Sequence, residues 1–411
     1  MIVRCFQRLL FNRISLLLLL LCFMAMYLYL NFSPYRADLP TPQPARNGRG
    51  VPKLEDRIQT SYTFPKIVHQ MWQSATLPLG SDMTRWKTGC EEVNKDWEFR
   101  FLYDEDLKNF VQKEYPQYMS LFKILTGVYM ADMARILLVY HYGGLYMDVD
   151  FFCHRPFDCL IHQILANELS HYKGKDLLVV SREPTMHEHL FRNKDRVIIQ
   201  DFFLATPKHP FFKWILDDRM KALEKDDELL VKLGLRKRVD VGFRKQGNEN
   251  VYNNTRFSIK SAGPFSYSIE KDVDRYRVYV IKNGYSNHSL NDLLDTQYFM
   301  TAGGIYELPS GVLHPLVDTT NGKLYSGCQN IMDRAAEVEK ICEEVNHGHF
   351  FTPTPETIAV HMWTHVYLGW SFLRSSYLAS LYNHIEHVVP PTLECPKIKK
   401  EYFPHAEGVH W

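Results

Sequence analysis

Ala131-Asp132-Met133-Ala134-Arg135, and shortly after it Gly143-Gly144-Leu145-Tyr146-Met147-Asp148-Val149-Asp150, decide how this chain is read. The first segment places an acid and a guanidinium on one helix face, because residues three apart are neighbours there. The diglycine signals a turn. After it, Leu145, Met147 and Val149 alternate with Tyr146, Asp148 and Asp150, as in a strand whose successive side chains point to opposite faces. The two acids therefore face one space at a strand's end. Such a pair is a hard, oxygen-rich site suited to Mn²⁺ or Mg²⁺, which would bridge it to a diphosphate.

The Asp-x-Asp spacing alone decides little, since the chain contains three examples. Asp104-Glu105-Asp106 reads as a polar turn, and Asp272-Val273-Asp274, between Glu270-Lys271 and Arg275, reads as a solvated loop. Only Asp148 and Asp150 end an apolar strand behind a glycine pair. Asp132 and Arg135 have a plain use as an intrahelical ion pair worth about 0.2–0.5 kcal/mol. Their functional use is a planar guanidinium clamping sugar hydroxyls or phosphate, with Asp132 accepting from hydroxyls.

Together with Pro65-Lys66-Ile67-Val68-His69-Gln70-Met71-Trp72, these segments resemble the glycosyltransferase family with a DXD motif in a Gly-rich sugar-binding region. Its members include lactosylceramide α-1,4-galactosyltransferase, the initiating α-1,6-mannosyltransferase and inositol-phosphoceramide mannosyltransferase. The similarity continues through Gln200-Asp201-Phe202-Phe203, Pro207-Lys208-His209-Pro210, Gly263-Pro264 and His361-Met362-Trp363.

The resemblance implies an α/β domain of GT-A type and transfer with retained anomeric configuration. It implies that Trp72 stacks on the donor base, that Asp132 and Arg135 hold the donor sugar, and that Asp148 and Asp150 bind Mn²⁺ or Mg²⁺ with the diphosphate. Tyr146 joins the donor-binding set, and His361 and Trp363 close the site from the C-terminal side. Two positions depart from relatives: Gln200 stands where Asn is frequent beside the reacting sugar, and Thr364 follows Trp363 where the galactosyltransferase has Asn. Asp201 is the nucleophile candidate if retention proceeds through a covalent intermediate; same-face attack needs none.

Lys and Arg total 48 against 47 Asp and Glu, a net charge of +1, which argues against a dedicated nucleic-acid binder. Ile14 to Leu30 is almost wholly apolar and long enough as a helix for a thin bilayer. Arg4, Arg8 and Arg13 precede it, so the N-terminus is expected to stay cytosolic. No small-x-small cleavage site follows at Tyr27 to Phe32, so the segment reads as a retained signal-anchor.

The expected organisation is a cytosolic tail at 1–13, an anchor at 14–30, a Pro-rich stem at 31–61, one lumenal catalytic domain at 62–390 and a tail at 391–411. With the resemblance, this implies a single-pass type II protein of the Golgi membrane. Cys90, Cys153, Cys159, Cys328, Cys342 and Cys395 form an even lumenal set free to oxidise, and the sequons at Asn253 and Asn287 suit that side. Without a Cys-x-x-Cys pair, structural zinc is disfavoured.

Strands are expected at Lys66 to Trp72, Trp97 to Tyr103, Leu177 to Val180, Val197 to Leu204 and Tyr276 to Ile281. Helices are expected at Leu107 to Phe122 and Phe211 to about Leu235, the latter ending in a solvated Arg236-Lys237-Arg238. His187-Glu188-His189 reads as a loop, and the aromatics from His361 to Tyr382 read as core. The expected function is transfer of a hexose or N-acetylhexosamine from a nucleotide-diphosphate sugar, UDP-sugar slightly favoured over GDP-mannose, to a glycan or glycolipid hydroxyl. The alternatives are an inactive glycan-binding or scaffolding descendant of the fold, and a metal-dependent phosphoesterase, which needs more ligands than this strand supplies.

Overall fold

A computed structural model describes residues 63–224, 269–283, 302–364 and 375–395, less single residues and short runs between 120 and 127, between 167 and 173, at 195, at 320–322 and at 330–335. These residues all belong to the second of two compact units, Arg57–Trp411. The anchor, the stem, both sequons and the Arg236-Lys237-Arg238 cluster lie outside the described residues. Among the described residues no helix is long and apolar enough to cross a membrane.

The centre is a mixed α/β sheet of six strands. In chain order these are β1 (Ile67–Trp72), β2 (Glu98–Tyr103), β3 (Gly144–Met147), β5 (Leu178–Arg182), β6 (Ile198–Ala205) and β7 (Ile305–Leu308), with β4 (Phe151–Cys153) and β8 (Ala359–His361) forming a separate antiparallel pair. The order is β2-β1-β3-β6-β5-β7, and only β6 runs against its neighbours. Five strands therefore deliver their carboxyl ends to one edge, where open α/β sheets bind ligands. Trp72, Asp148 and the segments after β5 and β7 all leave the sheet there.

Both sheet faces are covered, which is why β6, Ile-Ile-Gln-Asp-Phe-Phe-Leu-Ala, is buried throughout. On one face, Tyr146, Val180, Phe203 and Ile305 pack against the apolar helix α3 (Val128–Tyr142) and against α4 (Pro210–Glu224) and α5 (Glu270–Lys282). On the other, Val68, Met147, Phe202 and Leu204 meet Phe157, Leu160 and Ile164 from the segment after β4. Three disulfides, Cys90–Cys153, Cys159–Cys395 and Cys328–Cys342, join the six candidate cysteines.

Gly143 and Gly144, at φ +67° and +81°, turn α3 into β3. A Cβ on Gly144 would sit 2.5 Å from the Ile67 carbonyl oxygen, so the pair permits β3 to lie beside β1.

Several expectations need correction. Tyr276 to Ile281 is not a strand but the interior of α5: Val273, Tyr276 and Val280 recur at helical spacing on its buried side, and that burial outweighs local β propensity. Asp272 and Asp274, expected in a solvated loop, ride on the same helix. Asp272 is buried against Arg219, and Asp274 receives Arg196 through both guanidinium ends. Asp104 to Asp106 is the first turn of α2 (Asp104–Glu114), where acids suit the positive helix end and Asp106 accepts from the Tyr103 N–H at 2.9 Å. That helix stops before Pro116 rather than reaching Phe122.

His187 and Glu188 are buried in a π-helical turn (His187–Phe191), not looped out; Glu188 accepts from the Val197 N–H at 2.8 Å. The stretch expected to begin a C-terminal tail is bound down, since Thr392 donates to the His154 carbonyl and Cys395 is bridged to Cys159. Of the aromatics read as core, Trp363 and Tyr382 are buried, the latter on α7 (Ser375–Val388) after α6 (Ala336–Asn346); residues 365–374 lie outside the described set.

His209 at the head of α4 gives the fold an acid-sensitive point. Its Nδ1 accepts from the Phe211 N–H, its Nε2 faces the Gly304 carbonyl, and burial lowers its pKa from 6.5 to about 3. A group whose folded pKa is depressed contributes stability above its unfolded pKa and loses it as pH falls toward the folded value. His209→Gln can keep both hydrogen bonds without titrating. Wild type is therefore expected to lose stability relative to His209→Gln by up to about 1.4 kcal/mol per pH unit between roughly pH 6.5 and 3. Urea titrations of both proteins across that range check this, and parallel curves would contradict it.

Candidate active site

β3 ends at Met147, one residue before the first acid, so Asp148 to Asp150 form a turn into β4 rather than a continued strand. The two carboxylates nevertheless converge. Asp148 is pinned by its N–H, which donates to the Asp201 carbonyl at 3.0 Å, and its Oδ1 accepts from the Tyr146 hydroxyl at 2.5 Å.

Beneath it lies Arg135, buried on α3. Its guanidinium is 3.3 Å from Asp132 and 3.6 Å from Asp148, donates to the Gln200 carbonyl at 2.5 Å, and stacks 4.8 Å from the Tyr146 ring centre. The intrahelical ion pair therefore exists, and the same guanidinium also braces the acid tip. Desolvation penalises both members. Burial raises Asp132 to a pKa of about 6 despite Arg135, with Asp148 adding to the rise. Asp148 moves up for the same first reason, although Arg135 pulls against it.

Asp150 is held differently. Pairing of β4 with β8 sets Phe151 opposite His361, and His361 Nε2 lies 3.1 Å from Asp150 Oδ1. Trp363 then takes a left-handed backbone, φ +50°, anchored by its indole N–H on the Leu316 carbonyl. That reversal brings the Thr364 N–H and hydroxyl to Asp150 Oδ2 at 2.9 and 2.8 Å. Burial alone would raise the Asp150 pKa, but His361 and Thr364 together drive it well below the carboxylate range. Burial likewise disfavours the His361 cation, yet Asp150 and Asp201 outweigh it and raise the pKa to about 9.

Asp201, on β6, completes the group. Its Oδ2 accepts from His314 Nε2 at 2.7 Å and lies 3.1 Å from His361 Nδ1, while its Oδ1 is buried without a partner. Gln200 beside it is buried with neither amide atom bonded. Trp72 sits at the carboxyl end of β1, on the same sheet edge, partly exposed, its indole donating to the Leu77 carbonyl at 2.6 Å.

The sequence-read residues Asp132, Arg135, Tyr146, Asp148, Asp150, Asp201 and His361 thus share one neighbourhood. His314 and the anchoring role of Thr364 were not foreseen. His314 stands in Leu313-His314-Pro315, which has no motif, and only the packing of β7 beside β5 brings it to Asp201.

The donor atoms of Asp148, Asp150 and His361 lie within 4.8 Å of one another, as do those of Asp201, His314 and His361. Two carboxylates and an imidazole fit Mn²⁺ or Mg²⁺, with nitrogen favouring the former. The first set adjoins solvent through Asp148, whereas all three members of the second are buried. The first is therefore the set a diphosphate can reach.

Residues 81–170 match the family model described as a glycosyltransferase sugar-binding region containing the DXD motif. Inositol phosphoceramide mannosyltransferase 2 of Schizosaccharomyces pombe is 34% identical over 163 residues, 38% of this chain and 39% of that protein. Inositol phosphoceramide mannosyltransferase 1 of the same yeast is 29% identical over 155 residues, 36% of this chain and 40% of its own length. The initiation-specific alpha-1,6-mannosyltransferase of Saccharomyces cerevisiae is 29% identical over 119 residues, 25% of this chain and 24% of that protein. The matches thus span well under half of each relative. For the DXD region, the family resemblance read from the sequence is borne out.

Proposed function

We propose that this chain is a retaining hexosyltransferase of GT-A type that uses a nucleotide-diphosphate sugar and a divalent cation, with a glycan or glycolipid hydroxyl as acceptor. One observation carries the reading: Asp148, Asp150 and His361 converge at the carboxyl edge of the parallel strands, directly over the Arg135–Asp132 pair. Asp148, Asp150 and His361 would hold Mn²⁺ or Mg²⁺, whose chemistry there is neutralisation of a leaving diphosphate.

The protein's own groups do the rest. Arg135, fixed by four partners, presents a cation that cannot swing away, and Asp132 beside it accepts from sugar hydroxyls. Together they hold the sugar so that an acceptor oxygen meets the anomeric carbon in a productive geometry. Gln200, with an unbonded amide on the adjacent strand, supplies further polar contact at the reacting centre. Retention by same-face attack suits this arrangement, because Asp201 Oδ1 is shut from solvent and Oδ2 is covered by two imidazoles.

The relatives' names specify mannosyl transfer, in two of them with inositol phosphoceramide, whereas His361-Met362-Trp363 leans toward a UDP-sugar. Golgi residence as a single-pass type II protein, with the anchor at 14–30, belongs to the same proposal; three disulfides support an oxidising lumen. Full-length protein in detergent, incubated with Mn²⁺, UDP- and GDP-sugars and lipid or oligosaccharide acceptors, is expected to add one hexose or N-acetylhexosamine by mass. Glycan binding without turnover would indicate an inactive descendant instead. Trp72→Ala is expected to weaken donor binding about 5- to 100-fold, the range for losing one base–aromatic stack. Calorimetry with the nucleoside diphosphate checks this, and unchanged affinity would return Trp72 to packing.

A further inference from the structure

We propose that His187 is a positioning residue: from the π-helical turn after β5, its ring clamps Trp363 in the left-handed conformation that lays Thr364 against Asp150. The clamp stands on geometry alone, whereas its service to sugar transfer rests on the cation site proposed above.

The turn His187–Phe191 is built to hold one imidazole still. Glu188 pins it to the sheet, accepting from the Val197 N–H at 2.8 Å and from Arg182 Nε and Nη2 at 3.2 and 2.8 Å. The His187 N–H donates to the Pro184 carbonyl at 2.8 Å, and the His187 carbonyl accepts from the Arg192 N–H at 3.1 Å across the wide turn. Such π turns recur at functional sites. The ring of Phe191 is stacked on the imidazole at 4.5 Å, with 24° between the planes. His187 Nε2 accepts from the Asp318 N–H at 2.8 Å, and Nδ1 lies 3.4 Å from the Glu183 carboxylate. Held in this way, the imidazole meets the Trp363 indole T-shaped, with ring centres 4.7 Å apart.

Trp363 needs such holding. At φ +50° its backbone crowds its own Cβ, a conformation that a bulky side chain rarely adopts. A residue strained in this way persists only where its surroundings over-determine it. Here the indole is fixed by its N–H on the Leu316 carbonyl at 2.8 Å, by the His361 ring at 4.3 Å and by His187. His187 and Trp363 are 2% and 4% exposed, so water does not replace their contact.

The reversal at Trp363 decides whether Thr364 reaches Asp150. The residue before it is already moored, since the Met362 N–H donates to the Asp150 carbonyl at 2.9 Å. An extended Trp363 would continue β8 and carry Thr364 past the carboxylate. The left-handed one returns the Thr364 N–H and hydroxyl to Asp150 Oδ2 at 2.9 and 2.8 Å. The carboxylate is thereby kept in one orientation beside Asp148.

The test is hydrogen exchange at the Thr364 amide of the purified full-length protein, read by mass spectrometry with fragmentation to single residues. Four proteins are compared: wild type, His187→Gln, His187→Phe and Phe191→Leu. Gln can still accept from the Asp318 N–H but has no ring, whereas Phe keeps the ring and loses that bond. His187→Gln is expected to speed Thr364 exchange roughly 5- to 30-fold, the population weight of the left-handed penalty once the clamp is gone. His187→Phe is expected to stay near wild type. Phe191→Leu, at a partly buried position, is expected to show a smaller loss at the same amide. Amides of β6 serve as the internal reference, since a merely structural role would speed them too. Mn²⁺ affinity of the same proteins, read by electron paramagnetic resonance of free Mn²⁺, is expected to fall about 10-fold in His187→Gln, the low end of the loss when a group behind a metal ligand is removed.

Unchanged Thr364 exchange in His187→Gln and Phe191→Leu would overturn the clamp, and equal loss of protection in His187→Phe and His187→Gln would overturn the role of the ring. Lost protection with wild-type Mn²⁺ affinity would overturn the service to the site. Absence of Mn²⁺ binding in wild type would remove the proposed cation site, while the exchange rates would still decide the clamp.

Discussion

Asp150→Ala is expected to lower sugar transfer by about 10³-fold or more while the protein still folds. The expectation follows from where the carboxylate stands. It belongs to a turn beyond β3 rather than to the sheet, and its oxygens are engaged by His361 and Thr364, which reach it from the far C-terminal part of the chain. Removing it deletes one ligand atom and frees the histidine that would supply another, so charge stabilisation at the leaving phosphate is lost twice. Loss of a single preorganised stabilising group commonly lowers kcat 10²- to 10³-fold. The fold loses less. Asp150 and Thr364 are only partly buried, so water can take the place of the carboxylate beside Thr364, for a cost of about 1–3 kcal/mol. A purified Asp150→Ala protein with a cooperative melt and no measurable transfer is the expected result, and near-wild-type turnover would remove the metal role of this residue.

Arg135→Lys is expected to be nearly as severe, about 10²-fold in kcat/KM, or roughly 2.7 kcal/mol of transition-state stabilisation. The charge is kept and the geometry is not. One planar guanidinium simultaneously meets Asp132, Asp148, the Gln200 carbonyl and the face of Tyr146. A lysine ammonium is a compact point charge that can satisfy one or two of these and cannot lie flat on the ring. Asp148 would then lose its fixed direction, and Asp132, already raised by burial, would take up a proton more readily and stop accepting from sugar hydroxyls as a carboxylate. Steady-state kinetics against the donor check this; a change smaller than threefold would show that Arg135 serves only the intrahelical pair.

How much of this was legible in the sequence follows from how local each signal is. The diglycine, the strand after it and the Asp132–Arg135 face are set within twenty residues, and they stand where the alternation and helix spacing put them. The convergence of Asp148 with Asp150 was legible although its reason was not: a turn braced by Thr364, more than two hundred residues away, replaces the expected strand face. His361 was reached through the resemblance, because no spacing rule links it to Asp150. His314 had no signal, since its place depends on β7 lying parallel beside β5. The helix at Glu270–Lys282 was misread because Tyr276, Val278 and Val280 are good strand formers, and the partners that commit it to a helix, Arg196, Arg219 and Glu307, lie elsewhere in the chain.

The most direct measurement is a crystal structure of the full chain or its lumenal part grown with Mn²⁺ and uridine or guanosine diphosphate, with the metal located by its anomalous signal. The account predicts one peak within coordination distance of Asp148, Asp150 and His361, bridged to the diphosphate, with Arg135 unmoved beneath it. A nucleotide bound elsewhere, or bound at this edge with no metal and with Asp150 still closed on Thr364 and His361, would contradict it.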